Sequence, residues 1–299
     1  MSQASQHALL RGLQPTLPSP PTCSADVARR RPRAETGCLT KRESGYWVRW
    51  RTTDDFVIKT VGREFLPLAA VLSPTGKDVR IRSILDAGAN GGYSTAVFAR
   101  SFPDAQVVAV EPHPGNYAML KLNTNAFSNV LPIHGGVWGQ PAPSLQVVNG
   151  SRRIVNDRGY EWQFRTSTAA QPGRGPTAAG VSIPQLLSLA KLQRFDFVKL
   201  DVEGAECQVL GCRGAPPTDI SWLQGVRVLY IESHDDFDRG SEKAVLSVLK
   251  QAGLRVVASF PSWQMVDRTF LACGGELMLR RSCVRLCSEW RRDVKCRVM

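Results

Sequence analysis

The sequence predicts an α/β fold built on a parallel β-sheet. Short apolar runs alternate with helical patterns between residues 79 and 279, which is the order of successive βαβ units. Four of the first five apolar runs end in a carboxylate, where the strands of an open sheet present groups to a ligand. With 299 residues, 43% of them apolar, the chain can bury a sizeable core.

The individual elements follow in chain order. Five strands are predicted at 79–85, 107–110, 130–133, 195–200 and 226–231, with a helical stretch at 96–100 after the first. Val245, Val248, Leu249 and Ala252 recur at i, i+3, i+4 and i+7, which predicts a helix that stops at Gly253. Two further strands, 254–258 and 276–279, close the sheet.

Three stretches do not follow this rhythm and define the domain organisation. Residues 1–45 are rich in Pro, Ser and Arg, and we expect them not to pack, as either a transit peptide or a disordered leader. Residues 281–299 form a basic tail, either a short amphipathic helix on an acidic surface or a frayed end. Residues 46–280 form the folded domain. Within it, the Gly-rich and Pro-rich stretch 135–180 is an insertion that can cover the crevice at the strand ends.

Charge and cysteine content limit the function classes. The chain carries a net charge of +12, but the excess lies mostly in the two ends, which argues against a nucleic-acid partner. No run of 18 apolar residues is present, so we expect a soluble protein without a membrane-spanning helix. Eight cysteines without metal-ligand spacing predict no metal site and favour free thiols. The expected location is intracellular, either cytoplasmic or organellar.

A glycine-rich turn follows the first strand. It contains Asp86, Gly88, Asn90 and Gly92, and Glu111 ends the next strand, where a carboxylate can accept both hydroxyls of a ribose. The glycines do not form GxGxxG, and a carboxylate in front of them suits a cationic cofactor such as S-adenosylmethionine better than a pyrophosphate. The alternative interpretation is an ordinary tight connection between strand and helix.

Three segments resemble the FkbM family of S-adenosylmethionine-dependent methyltransferases. They are DAGANGGYST at 86–95, VVAVEPHPGNYAMLKLN at 107–123 and DFVKLDVEGAECQVLG at 196–211, and the likeness covers about residues 80–280. The resemblance implies a Rossmann-like, mostly parallel sheet of seven strands with an antiparallel last strand, at 276–279 here, and helices on both faces. It also implies methyl transfer, usually to a hydroxyl oxygen.

The same resemblance assigns the cofactor site. The residues that would hold the methionine part are Asp86, Gly88, Asn90 and Gly92. Glu111 would hold the ribose, and His113 would lie beside the adenine together with Pro112. The alternative for His113 is a residue that starts a helix and makes a local hydrogen bond.

The catalytic candidates follow the fourth and fifth strands. Asp201 is expected next to the transferable methyl, where it contacts the cofactor amine or orients the acceptor hydroxyl. Glu203 is the second candidate for general base, and His234 can take a proton near neutral pH. Acids at a helix start are also favoured by the macrodipole alone, and His234 can be a plain loop residue. Lys199 would pair with an acid or serve the structure.

Together these features predict an O-methyltransferase that acts on a small-molecule, sugar or lipid-linked hydroxyl. The alternatives are a catalytically inactive methyltransferase-like binding module and a methyltransferase that acts on RNA or protein.

Overall fold

A computed structural model describes residues 38–50, 52–72, 80–149, 164–167, 175–216, 218–235, 239–261 and 268–273. Its strands are β1 (Leu39–Lys41), β2 (Trp47–Arg49), β3 (Ser83–Ala87), β4 (Gln106–Glu111), β5 (Val130–His134), β6 (Gly136–Val137), β7 (Ala142–Asn149), β8 (Phe164–Ser167), β9 (Thr177–Val181), β10 (Phe197–Leu200), β11 (Val228–Ser233), β12 (Arg255–Pro261) and β13 (Arg268–Cys273). Its α-helices are α1 (Asp54–Leu72), α2 (Tyr93–Ser101), α3 (Pro114–Thr124), α4 (Ile183–Ala190), α5 (Glu206–Leu210) and α6 (Ser241–Gln251), and Ser221–Gly225 forms a 3₁₀ turn.

Seven strands form the central sheet in the order β12-β13-β11-β10-β3-β4-β5. The strands from β11 to β5 pair in parallel, and β13 runs antiparallel to both of its neighbours. This arrangement confirms the predicted Rossmann-like sheet with an antiparallel last strand. The position of that strand is different, because it is Arg268–Cys273 and residues 276–279 lie outside the described residues. Only residues 262–267 separate β12 from β13, and a connection this short suits antiparallel neighbours.

Helices cover both faces of this sheet, as predicted. Neighbouring strand residues point to opposite faces, so Ile84 packs with α1 and α2 while Leu85 packs with α4 and α6. On α1, Phe65 and Leu68 are almost fully buried, and Leu249 of α6 is fully buried on the other face. The carboxyl ends of the strands remain between these two layers, where a ligand can enter.

The folded part begins before residue 46. β1 pairs with β2, and Cys38 and Leu39 are buried, so the prediction that residues 1–45 do not pack is wrong for 38–45. Residues 1–37 lie outside the described part. The Arg-rich and Pro-rich composition of the preceding residues concealed this hairpin, and α1 was not predicted from the sequence either.

The stretch 135–180 contains strands as well as turns. β6, β7, β8 and β9 form a second sheet in the order β6-β9-β7-β8. Three of these strands are short, and Gly136 and Gly180 lie within them, so the turn formers around them dominated the sequence pattern. The insertion is therefore an ordered second sheet beside the crevice in its described residues.

The described cysteines are paired, contrary to the expectation of free thiols. Cys207 is bonded to Cys212, and Cys38 and Cys273 are also in disulfides. Disulfides persist in oxidising compartments, so the described cysteines give no support to the reducing compartment that free thiols would indicate. None of the described helices has both the length and the hydropathy that crossing a membrane requires.

Candidate active site

The turn after β3 is built from residues that tolerate a left-handed backbone. Gly88 and Gly92 have φ of +77° and +83°, and Asn90 has φ of +50°. At Gly88 a side chain is impossible, since an added Cβ would lie 1.8 Å from the backbone oxygen of Asp201. The turn therefore passes directly against the end of β10, and its amides lie at the start of α2.

Asp86 does not face the site in which it was expected to hold the methionine part of the cofactor. Its carboxylate is fully buried and accepts hydrogen bonds from Ser94 Oγ at 2.8 Å and Thr95 Oγ1 at 2.7 Å. Its other oxygen is 3.3 Å from Lys199 Nζ, and the residue does not line the cavity described below. Asp86 therefore holds the first turn of α2. Gly92, like Asp86, lies outside the cavity wall.

Lys199 on β10 forms ion pairs with Asp86 of β3 and with Asp201, which follows β10. Its Nζ donates to the backbone oxygen of Gly88 at 2.9 Å and lies 3.3 Å from both Asp86 Oδ1 and Asp201 Oδ2. Burial by itself lowers the pKa of Lys199, but the two carboxylates outweigh it and raise the pKa above its ordinary value. Lys199 is therefore a buried cation that fixes Asp201 beside the glycine turn.

Replacing Lys199 by methionine is expected to lower the free energy of unfolding by about 3 kcal/mol, because Asp86 loses its buried ion-pair partner. Urea denaturation followed by circular dichroism measures this. Lys250→Met on the exposed surface of α6 is the control, and we expect it to be nearly neutral. A Lys199→Met protein as stable as the control would contradict the structural role of the ion pair.

Glu111 ends β4 and is held by backbone amides. Its Oε2 accepts from the amide of Asn90 and its Oε1 from the amide of His113, both at 2.9 Å. Burial raises the pKa of Glu111 to about 7, although these hydrogen bonds act in the opposite direction. The carboxylate lines the cavity beside Gly88 and Asn90, which is the position predicted for a ribose acceptor.

His113 begins α3 and is a neutral ring. Its Nδ1 accepts from the amide of Asn116 at 3.3 Å, so the local hydrogen bond of the alternative interpretation is present. Burial lowers the pKa of His113 to about 4. The ring stacks on Phe164 with centroids 3.8 Å apart, and Phe164 is part of the cavity wall.

A group of acidic side chains and one histidine, here called the acidic group, lies at the ends of β10 and β11. His234 Nδ1 is 2.8 Å from Glu206 Oε1, and His234 Nε2 is 3.4 Å from Glu203 Oε2. The ligand-type atoms of Asp201, Glu232 and His234 lie within 4.8 Å of one another, a spacing that could also hold a metal ion. Acidic groups commonly lie this close without a metal, so the predicted absence of a metal site stays a prediction.

Burial and neighbouring charges shift the pKa values of Glu203 and His234. Burial raises the pKa of Glu203 well above its ordinary value, and the nearby His234 only partly offsets this. Burial lowers the pKa of His234, but Glu206 and Glu203 outweigh it, so the pKa lies well above the usual value. Glu203 also has a positive φ of +52°, a strained backbone position that occurs often at active sites.

One cavity connects the glycine turn to the acidic group. About 1250 Å³ of space not occupied by atoms lies inside it, and this figure includes open solvent. Of the predicted site residues, the cavity wall contains Gly88, Asn90, Glu111, Asp201, Glu203 and His234, whereas Asp86, Gly92 and His113 lie outside it.

One wall of the cavity, formed by α1, was not predicted from the sequence. α1 contributes Phe56, Val57, Thr60, Val61 and Glu64 to it. The apolar spacing of Val57, Val61 and Phe65 at i, i+4 and i+8 is a helical signal that could have revealed this wall. Glu64 accepts a hydrogen bond from Tyr230 Oη at 2.6 Å, which ties α1 to the sheet.

The fold and the site together define a class of protein. A parallel sheet with an antiparallel last strand, a glycine turn after β3 and a carboxylate at the end of β4 are typical of Rossmann-like methyltransferases. Residues 86–256, more than half of the chain, match the family model of the Methyltransferase FkbM domain. The chain therefore belongs to the FkbM methyltransferase family, and its cofactor is S-adenosylmethionine, as the sequence predicted.

Known relatives are similar over part of the chain. Methyltransferase sdnD of Sordaria araneosa is 29% identical over 151 residues, which cover 42% of this chain and 58% of that protein. Methyltransferase 1 of Beauveria bassiana (strain ARSEF 2860) is 24% identical over 197 residues, covering 62% and 76%. A putative O-methyltransferase from Klebsiella pneumoniae has a similar structure with a TM-score of 0.41 and 15% identity, covering 91% of this chain and 96% of that one. Nothing about the reaction follows from a match at this score.

Proposed function

We propose that the protein transfers a methyl group from S-adenosylmethionine to a hydroxyl oxygen of a small-molecule, sugar or lipid-linked acceptor. The observation that carries this proposal is the continuous cavity between Glu111 and the group of Asp201, Glu203 and His234. A site for an adenosyl group and a set of proton acceptors therefore share one space.

The residues at the first end of the cavity fit the cofactor. Gly88 packs directly against the backbone of Asp201, and Gly88, Asn90 and Glu111 all line the cavity. In this proposal Glu111 accepts the ribose hydroxyls, and the neutral ring of His113 lies near the adenine with Phe164. Asp86 and Gly92 contribute indirectly, because they shape the turn without facing the cavity.

The residues at the other end handle the acceptor. When bound, the cofactor supplies a methyl group on a positively charged sulfur. Asp201 is fixed by Lys199 and orients the acceptor hydroxyl, so that the hydroxyl oxygen forms the new bond to the methyl carbon. Oε2 of Glu203 would accept the proton that the hydroxyl loses, while the electron pair that held the methyl group would stay on the cofactor sulfur. α1 lines the cavity and is tied to β11 through the hydrogen bond from Tyr230 to Glu64, and alignment of the reacting atoms supplies much of the rate.

Calorimetric titration with S-adenosylhomocysteine tests the cofactor site, and methyl transfer tests the reaction. We expect S-adenosylhomocysteine to bind and NAD to give no heat. With S-adenosylmethionine labelled in the methyl group, label should appear as a methyl ether in a metabolite extract. Binding without transfer in extracts of metabolites, RNA and protein would favour the inactive binding module. Heat with NAD alone would overturn the cofactor assignment.

Glu111→Gln is expected to weaken S-adenosylhomocysteine binding about tenfold or more, since hydrogen bonds to a charged group are lost. The pKa of Glu111 is raised to about 7 by burial, so its ionised fraction grows as the pH rises through that value. Affinity of the unmodified protein should therefore increase with pH across neutrality, and the variant should show a flat profile. Asp104→Asn on the surface is the calorimetric control. A pH profile unchanged by Glu111→Gln would remove Glu111 from the site.

A further inference from the structure

Glu206 is a buried carboxylate behind the cavity wall. It is the first residue of α5, its exposed fraction is only 1%, and it does not line the cavity. Its Oε1 accepts from the amide of Gly204 at 3.0 Å and lies 2.8 Å from His234 Nδ1. Glu206 therefore contacts His234 from the side opposite to the site of reaction.

This contact determines which ring nitrogen of His234 carries a proton. Since Oε1 of Glu206 already accepts the Gly204 amide, it acts as an acceptor toward His234 as well, and Nδ1 is the donor. The ring is then oriented so that Nε2 faces Glu203 Oε2 at 3.4 Å. A carboxylate that fixes the tautomer and orientation of a histidine in this way is a known device of catalytic sites.

A helix-terminal role alone does not explain Glu206. An acid in the first turn of a helix interacts favourably with the macrodipole while exposed to solvent, so burial adds nothing to that role. Burial of a carboxylate is costly, and Oε2 of Glu206 lacks a hydrogen-bond partner among the described residues. The bond to His234 is the interaction that offsets this cost.

We propose that Glu206 is a positioning residue that holds the proton of His234 on Nδ1 and directs Nε2 toward Glu203 and the acceptor. This inference rests on the proposed function for the role of His234 and Glu203 in methyl transfer. The charged groups that face the ring are Glu203 and Glu206 from the segment after β10, Asp201 at the end of β10 and Glu232 from β11.

Nuclear magnetic resonance of the histidine rings tests this directly. The protein has four histidines, and a His234→Gln sample identifies the signals of His234. We expect a proton on Nδ1 throughout a titration from about pH 5 to 10, with Nε2 the nitrogen that loses its proton. In Glu206→Gln the pKa of His234 should fall by about 1 to 3 units, because a neighbouring negative charge is removed. Glu206→Asp should restore part of this shift.

Glu242→Gln is the matched control, because Glu242 also lies in the first turn of a helix, and it should leave the His234 pKa unchanged. A neutral His234 with its proton on Nε2 in the unmodified protein would overturn the proposal, even if Glu206→Gln did not fold. So would a folded Glu206→Gln protein with an unchanged His234 pKa. These readouts need no turnover, so an absence of methyl transfer would count against the proposed function only.

Discussion

Replacing Gly88 by alanine is expected to unfold the domain or to lower its free energy of unfolding by more than about 4 kcal/mol. The new Cβ would lie 1.8 Å from the backbone oxygen of Asp201, and Gly88 has a φ of +77°. The clashing atom belongs to the backbone at the end of a central strand, so no side-chain rotation relieves the contact. Stored strain and overpacking of this size approach the whole stability of a typical domain.

Gly253→Ala is a matched control for this prediction. Gly253 has a φ of +78°, but a Cβ there would meet nothing within 4 Å, so only the conformational cost of about 1 kcal/mol remains. Urea denaturation and the yield of folded protein compare the two variants. If both lose the same stability, the close approach of the turn to β10 is wrong, and with it the shape of the proposed cofactor site.

The carboxylates that end the strands could be placed from the sequence. Continuous apolar runs predict buried parallel strands, and the carboxyl ends of such strands meet at one edge of the sheet. Asp201 follows β10, Glu232 lies near the end of the neighbouring β11, and Glu111 ends β4, the strand beside β3. Their convergence on one cavity is therefore a consequence of strand order, which the resemblance to a known family supplied.

The direction of Asp86 could not be read from the sequence. A carboxylate that ends a strand can point toward the ligand or toward the adjacent helix, and here Ser94, Thr95 and Lys199 hold it toward the helix. The role of Glu206 was hidden for a similar reason. In the sequence, without its burial, an acid at a helix start needs no explanation beyond the macrodipole, and its partner His234 is 28 positions further along the chain.

Glu203→Gln is expected to lower the rate of methyl transfer by a factor of about 10² to 10⁴, the usual contribution of a general base. Burial raises the pKa of Glu203 well above its ordinary value, so the carboxylate form that accepts a proton becomes populated only as the pH rises. The rate of the unmodified protein should therefore increase with pH, and this increase should disappear in the variant. Transfer of labelled methyl into the metabolite extract, followed over a pH series, measures both effects.

Binding of S-adenosylhomocysteine should be unchanged in Glu203→Gln, which separates a loss of chemistry from a loss of the cofactor site. Asp201→Asn provides the contrast, because Asp201 is also an ion-pair partner of Lys199 and its replacement should reduce stability as well as rate. If Glu203→Gln retains the full rate and its pH dependence while Asp201→Asn abolishes both, the proton passes to Asp201 instead. The two carboxylates then exchange roles, since both face the same end of the cavity.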